Sequence, residues 1–330
     1  MHYSLQAEFF LDKRQYDKER QFFEKTWIFV AHDSELLNYN VIARKVAGYP
    51  IIITKDHTET IRSFTNICRH RGSKLLDDGT GKKCRTISCP YHGWGYGLDG
   101  SLKQTPNFGY ALNMGDYRLS EWHVQVINGL IFVSLDPKYT FEQQFGSCID
   151  ELHKKIPSYV VRSRKEFVVH CNWKLYVENY LEGYHIPFAH PTLAREIVMS
   201  NYEVISHDGY ISHHVTAKKG SVSEGYWMYL WPNVAINSYA NGFSLERIIP
   251  ISPTQTKISY LYLFSDNCSD VDMEKSMATS SKITEEDIQL VERIQDNLHS
   301  GLYIPGPLSP KHETGLVTFH SWLRNEGLIP

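Results

Sequence analysis

The spacing of apolar positions divides the chain into stretches of different texture. Residues 13–25 are charged but keep an apolar stripe, which predicts an amphipathic helix ending in the apolar run Trp27-Ile-Phe-Val-Ala31. Beyond it the period shortens to two. Residues 41–46, 51–54 and 61–65 predict short strands, with Gly48-Tyr49-Pro50 and Asp56-His57 as turns. Residues 122–126 and 130–134 predict a hairpin about Asn128-Gly129, a strong turn pair. The loop-rich stretch between these strands is crowded with cysteine and histidine. Residues 141–156 predict a helix and 167–171 a strand. From 203 to 265 alternation recurs at 210–216, 226–231, 234–239, 244–251 and 257–264, the texture of an antiparallel sheet. The pattern then turns helical from 270 to 298, and 314–324 predicts a last helix.

The fold class this predicts is α+β. Residues 1–38 form a helical segment packing with the C-terminal domain. Residues 39–137 form a small all-β module that exits at Asp136-Pro137. Residues 138–330 form an antiparallel sheet covered by helices.

Composition narrows the partners. A net charge of -3, from 34 basic against 37 acidic residues with no long basic run, argues against nucleic-acid binding. No apolar stretch reaches membrane-spanning length and the first residues lack a signal-peptide pattern, so the expectation is a cytoplasmic protein with no membrane partner. The six cysteines are too sparse for a secreted disulfide framework. Cys148, Cys171 and Cys268 are scattered and read as buried thiols, whereas Cys68, Cys84 and Cys89 crowd together and need another reason.

That reason lies in two mixed pairs, Cys68-Arg-His70 and Cys89-Pro-Tyr-His92, separated by eighteen residues. Structural zinc prefers Cys-x2-4-Cys and His-x3-5-His spacing. A Rieske [2Fe–2S] centre needs two thiolates on one iron and two imidazoles on the other, which mixed pairs supply naturally. Gly93, Gly95 and Gly97 permit a tight loop beside it. Cys84 cannot replace Cys89, because Ile87 stands where the second histidine is needed.

A second concentration of chemistry runs from Asn172 to Pro191. Glu182 and His185 are three residues apart and would share a helix face, while His190 sits where Pro187 and Pro191 disfavour helix. One carboxylate and two imidazoles suit zinc, half of a di-iron site, or the open iron site of an oxygenase.

Cys-x-His-Arg-Gly with Cys-Pro-Tyr-His-Gly-Trp resembles the Rieske family. With Asn-Trp-Lys-x3-Glu-Asn-Tyr-x-Glu-x-Tyr-His-x4-His-Pro downstream, essentially the whole chain resembles the large subunit of the Rieske non-haem iron oxygenases. The resemblance implies a helix-grip catalytic domain. It implies a [2Fe–2S] cluster on Cys68, His70, Cys89 and His92, and a mononuclear Fe(II) on His185, His190 and a later carboxylate. Asp287 is the expected third ligand, because it shares a stripe with Val291, Ile294 and Leu298, whereas Glu285 and Glu286 fall on faces read as solvated. The competing reading makes Thr284 and Asp287 a capping box. The di-iron alternative would need Asp296-x-x-His299 and further glutamates that are not nearby.

In the resembled family an acidic residue three before the first iron histidine carries the electron between subunits, which implies that role for Glu182 and a ring-shaped homotrimer. Glu178 and Asn179 are expected to support the iron site or the local structure. The resemblance also implies O2 and a small organic molecule as substrates. Electrons would come from NAD(P)H through a separate flavin or iron–sulfur reductase, or a ferredoxin.

The wording about the histidines and in Trp231-Pro-Asn-Val-Ala-Ile-Asn237 is most similar to the choline and carnitine monooxygenase branch. That favours hydroxylation or oxidative demethylation, with a quaternary amine as the candidate substrate, over ring cis-dihydroxylation. Tyr210, Tyr226, Trp227, Tyr229, Trp231, Tyr239 and Phe243 are read as sheet core or as an aromatic pocket. His213-His214 and His312-Glu313 are read as incidental surface residues. Two non-enzymatic readings stay open at this point: a Rieske electron carrier and a zinc-stabilised binding module.

Overall fold

The computed structural model describes residues 1–330. Two short helices open it, α1 (Glu8–Leu11) and α2 (Lys13–Glu24). The run after them is not a helix end. Ile28–His32 is strand β1, buried along its whole length, because five consecutive apolar or weakly polar side chains fit a strand covered on both faces. It pairs with a strand about a hundred residues later, so the β-rich unit begins well before position 39, where the sequence texture alone starts it.

The chain divides into two compact units, one of residues Phe23–Gln143 and the other of Met1–Phe22 with Gln144–Pro330. The first adds β2 (Val41–Val46), β3 (Tyr49–Lys55), β4 (Ile61–Thr65), β5 (Gly81–Lys82), β6 (Thr86–Ser88), β7 (Gly95–Gly97), β8 (Leu102–Gln104), β9 (Glu121–Ile127) and β10 (Leu130–Ser134). Seven of these strands form one sheet in the order β1-β10-β9-β4-β3-β2-β5, and β6-β7-β8 form a smaller one. Asn128 and Gly129 both have positive φ, as a two-residue hairpin turn between β9 and β10 requires.

The second unit is helix α3 (Phe141–Lys155, which begins just before it), strand β11 (Val160–Val169), helices α4 (Trp173–Tyr180), α5 (Ile186–Ala189) and α6 (Pro191–Glu196), six more strands, and two closing helices. The strands are β12 (Ile197–Ser206), β13 (Tyr210–Ala217), β14 (Ser223–Leu230), β15 (Val234–Tyr239), β16 (Gly242–Ser252) and β17 (Gln255–Phe264), followed by α7 (Asp270–Leu298) and α8 (Thr314–Asn325). The sheet is antiparallel, ordered β11-β17-β16-β15-β14-β13-β12. Helix α7 lies on its face, tied by Tyr260 Oη with Thr284 Oγ1 at 2.8 Å and Tyr262 Oη to Ser280 Oγ at 3.1 Å.

Asn172 is the hub that sets α4 in place. Its side chain caps the helix by accepting from Lys174 N–H, and its amide donates to the carbonyls of Phe10 and Pro253. Its own backbone N–H donates to Gln295 of α7. Trp173 and Lys174 then converge on buried Glu19, through Trp173 Nε1 at 2.7 Å and the Lys174 ammonium. The Asn-Trp-Lys motif is therefore structural. Cys148 and Cys171 are buried as expected, but Cys268 is half-exposed. No helix is long and apolar enough to cross a membrane.

Candidate metal centres and substrate cavity

In the first unit the two mixed pairs sit on matching loops. Cys68-Arg-His-Arg-Gly72 and Cys89-Pro-Tyr-His-Gly93 each close with the glycine N–H bonded to the cysteine carbonyl, at 3.0 and 3.1 Å, and both glycines have positive φ. The imidazoles of His70 and His92 approach to 4.7 Å between centroids, and Trp94 stacks on His70 at 4.8 Å. Both cysteines are buried. Burial pushes the Cys68 thiol up, although Tyr96 Oη at 3.3 Å opposes it. Burial also works against a Cys89 thiolate, yet backbone N–H groups of Tyr91 and His92 bring that thiol below its ordinary value. His70 Nδ1 is buried with no hydrogen-bond partner. An orphaned imidazole nitrogen beside two buried sulfurs fits a cluster and does not fit ordinary packing. Cys84 is apart from this set and hydrogen-bonds through its backbone to Asn40.

In the second unit α4 stops at Tyr180, so Glu182 and His185 do not share a helix face. They are brought together by a turn instead. The Glu182 carboxylate accepts from the backbone N–H of Tyr184 and His185, and it lies 2.5 Å from His185 Nδ1. Gly183 is required there, because a Cβ would come within 2.4 Å of the Tyr202 ring. Pro187 and Pro191 stand in the first turns of α5 and α6, and His190 lies between those helices.

Asp287 is in mid-helix, since α7 begins at Asp270 with Ser269 as its cap, so the capping-box reading of Thr284 and Asp287 does not hold. One ligand atom from each of His185, His190 and Asp287 falls within 4.8 Å of the others. His190 Nε2 is 2.9 Å from Asp287 Oδ1 and 3.2 Å from His185 Nε2. Two imidazoles and one carboxylate on one side fit a three-residue site with open positions.

The surroundings of this trio hold it in orientation. Both histidines turn Nε2 inward because Nδ1 is engaged elsewhere, His185 with Glu182 and His190 with Glu286 at 2.7 Å. Glu286 is therefore not on a solvated face. It stands next to Asp287, and its longer side chain reaches the outer edge of His190. Asn179 donates to Asp287 Oδ1 at 2.7 Å, and Glu178 instead meets buried His320 at 2.8 Å. Ile294 departs from the expected stripe, being 44% exposed, while Val291 and Leu298 are buried. Burial disfavours an ionised Asp287, but hydrogen bonds from both imidazoles hold it at about 2. Burial likewise opposes a charged His185, and Asp287 with Glu182 outweigh it, raising the imidazole to about 9.

Beside the trio opens a cavity of about 850 Å³, counting the space at its mouth. Its wall is aromatic: Tyr176, Tyr180, Tyr202, Trp227, Tyr239 and Tyr260. Only Trp227 and Tyr239 come from the aromatic set singled out in the sequence. Tyr229 and Phe243 are sheet core. Glu246 also lines it, 2% exposed, accepting from Tyr176 Oη at 2.5 Å and from Asn237 Nδ2 at 3.2 Å. Burial pushes its carboxyl up to about 7. Nothing in the sequence singles Glu246 out except that it interrupts an apolar strand. His213 is another departure: it is 1% exposed and lines the cavity, whereas His214 beside it is half-buried.

Residues 26–114 match the Rieske [2Fe-2S] domain, and residues 156–224 and 206–326 match the ring hydroxylating alpha subunit (catalytic domain), more than half of the chain. The chain belongs to this family, the Rieske ring-hydroxylating oxygenase alpha subunits. It is an oxidoreductase whose cofactors are a Rieske cluster and a mononuclear iron.

Among its relatives is the carnitine monooxygenase oxygenase subunit of Escherichia coli (strain K12), 29% identical over 91% of this chain and 86% of that one. The chloroplastic choline monooxygenase of Amaranthus tricolor is 28% identical over 91% and 72%. A solved quaternary ammonium Rieske monooxygenase superposes with a TM-score of 0.91, at 27% identity, covering 98% of this chain and 95% of the other. Naphthalene 1,2-dioxygenase from Rhodococcus sp. shares the fold, with a TM-score of 0.82 at 19% identity over 98% and 94%.

Proposed function

We propose that this chain is the terminal oxygenase for a small quaternary ammonium compound, which it hydroxylates or oxidatively demethylates. The observation that carries the reading is the cavity beside the His185–His190–Asp287 trio, walled by tyrosines and tryptophan and closed by the buried carboxylate of Glu246. Aromatic faces attract a cation that cannot donate hydrogen bonds, and a desolvated carboxylate adds charge complementarity. The choline and carnitine monooxygenases among the relatives agree with it.

In this reading Cys68, Cys89, His70 and His92 hold the cluster, and His185, His190 and Asp287 hold the iron. When bound, these groups supply electron storage and O2 activation. The protein's residues do the rest. Glu286 and Glu182 fix the two imidazoles from behind, Asn179 orients Asp287, and the aromatic wall keeps the bound ligand dry. Glu182, seated on His185, is the entry point for the electron. It would meet the cluster histidine of a neighbouring copy in a homotrimer, with a separate reductase or ferredoxin drawing on NAD(P)H as the source. The expected compartment is the cytoplasm.

Reductase-coupled O2 consumption with product identification tests this, using choline, γ-butyrobetaine, carnitine and a set of aromatic acids. Coupled turnover of one or more ammonium compounds is the expected result. Coupled oxidation of aromatic acids alone, with a cis-diol product, overturns it in favour of ring dihydroxylation.

A further inference from the structure

His213 is the one imidazole in the cavity wall that belongs to neither metal centre. It is 1% exposed, and its ring packs edge-on against Tyr180 and Tyr202, with centroids 5.7 and 5.9 Å away. Nδ1 is 2.8 Å from Tyr202 Oη, while Nε2 is buried with no hydrogen-bond partner at all. A buried polar nitrogen left unpaired is costly, so an orphan on a residue that lines a ligand cavity points to a partner that arrives with the ligand.

We infer that His213 is a substrate-positioning residue that donates a hydrogen bond from Nε2–H to an oxygen of the substrate, in a tautomer fixed by Tyr202. This deepens, and rests on, the reading of the cavity as the site of a small ammonium compound.

The tautomer follows from counting partners. If the Tyr202 hydroxyl donates to Nδ1, the proton of the ring sits on Nε2 and one group awaits a partner. If Nδ1–H donates instead, the buried phenol proton and Nε2 are both left without one. The first arrangement leaves less unsatisfied, and it makes Nε2–H a donor, so the ligand must bring an acceptor: a carboxylate, carbonyl or hydroxyl oxygen.

The charge state suits a cationic ligand. Burial drives the imidazole down to about 3, and the nearby His214 and His185 oppose its protonation further, so it donates without carrying charge. A lysine or arginine in that place would bind an oxygen more strongly, but it would repel the ammonium group in the same cavity. A neutral histidine avoids that conflict.

Sheet register sets the two ends of the ligand. His213, Trp227, Asn237 and Ser244 are paired in one row across β13, β14, β15 and β16, so they share a face. Glu246 lies two residues beyond Ser244 and on that same face. Three strand spacings separate the backbones of β13 and β16, about 14 Å. Both side chains stand on that face, so a ligand lying across β14 and β15 would have its cation toward Glu246 and its oxygen toward His213. The substrate class is therefore narrowed to a quaternary ammonium that also bears an oxygen acceptor a few bonds from nitrogen.

The test is anaerobic calorimetry on the oxidised holoenzyme with three probes: γ-butyrobetaine, choline and the oxygen-free butyltrimethylammonium. Wild type should bind the better of the two oxygen-bearing probes about tenfold more tightly than the oxygen-free one, the worth of one hydrogen bond. His213→Phe should erase that preference while leaving butyltrimethylammonium affinity within about twofold. His213→Gln, whose amide still donates, should keep part of it. Tyr202→Phe, which frees the tautomer, should lose part of it, and it serves if His213→Phe does not fold.

An equal loss for all probes would show that His213 only shapes the wall, and this overturns the inference. So does a preference that survives in folded His213→Phe, or that survives undiminished in Tyr202→Phe where His213→Phe does not fold. Wild type binding all three probes alike refutes the role of His213 alone. Wild type binding none refutes the ammonium reading itself, and the inference with it.

Discussion

Replacing Glu246 by Gln isolates the charge that the cavity offers to a cation. The amide keeps the shape of the carboxylate and can still accept from Tyr176, so packing is conserved and the negative charge is lost. Glu246 is surrounded by neutral donors, Tyr176, Asn237 and Tyr260, rather than by a counter-ion. At a nitrogen-to-carboxylate separation of roughly 5 Å and an effective dielectric near 20, the attraction is about 3 kcal/mol. Desolvating the ammonium offsets part of it, which leaves about 1.4–2.7 kcal/mol, or 10- to 100-fold in Kd.

The pH dependence has a definite sign. Burial lifts the Glu246 carboxyl to about 7, with Asp287 adding to the rise, so the charged form is lost as pH falls through that value. The ionised fraction drops about tenfold from pH 8 to pH 6, and the affinity for a cation should drop with it. Bound iron offsets the charge of Asp287 and moves the midpoint to lower pH, so the titration should run from pH 5 to 8.5. The buried Tyr176, Tyr180 and Tyr260 are pushed far above this range and His213 lies far below it. Calorimetry with butyltrimethylammonium, which has no oxygen for His213, reads the effect directly. Equal affinity of Glu246→Gln and wild type at pH 8, or the same pH profile in both, would refute Glu246 as the counter-charge.

Two further predictions concern the metal site. Glu182→Gln should keep three irons per chain and the visible spectrum of the cluster, yet lower coupled turnover by a hundredfold or more; near-normal turnover would remove Glu182 from the electron path. Asp287→Ala should lose the mononuclear iron and retain the two cluster irons, as counted by metal and sulfide analysis. Retention of the third iron would move the carboxylate ligand to another residue.

How much of this was legible in the sequence differs from residue to residue. Cys68, His70, Cys89 and His92 could be read because each pair is only a few residues long, and spacing within a tight loop already fixes which atoms meet. His185 and His190 were readable for the same reason, since Pro187 between them and Pro191 just after constrain the short chain that carries them. Asp287 was readable because helical periodicity places it in line with Val291 and Leu298.

That periodicity says which residues share a stripe, but it does not say how far a neighbouring long side chain reaches. Glu286 therefore reads as solvated, although it holds His190 from outside. It also cannot say where the packed surface ends, and Ile294 is exposed despite its position in the stripe.

The sequence by itself determined the fold class and the two Cys/His loops, because both depend on local period and short spacing. It also placed His185 close to His190, although a turn and not a helix face sets Glu182 against His185. Only the tertiary structure decided the cavity. His213 and Glu246 are 33 positions apart in sequence and lie on different strands. What places them on one wall is strand order and register, which alternation within a single strand leaves open. Burial then gives them their chemistry: it keeps one imidazole neutral and one carboxylate near its midpoint, and neither property belongs to the residue types alone.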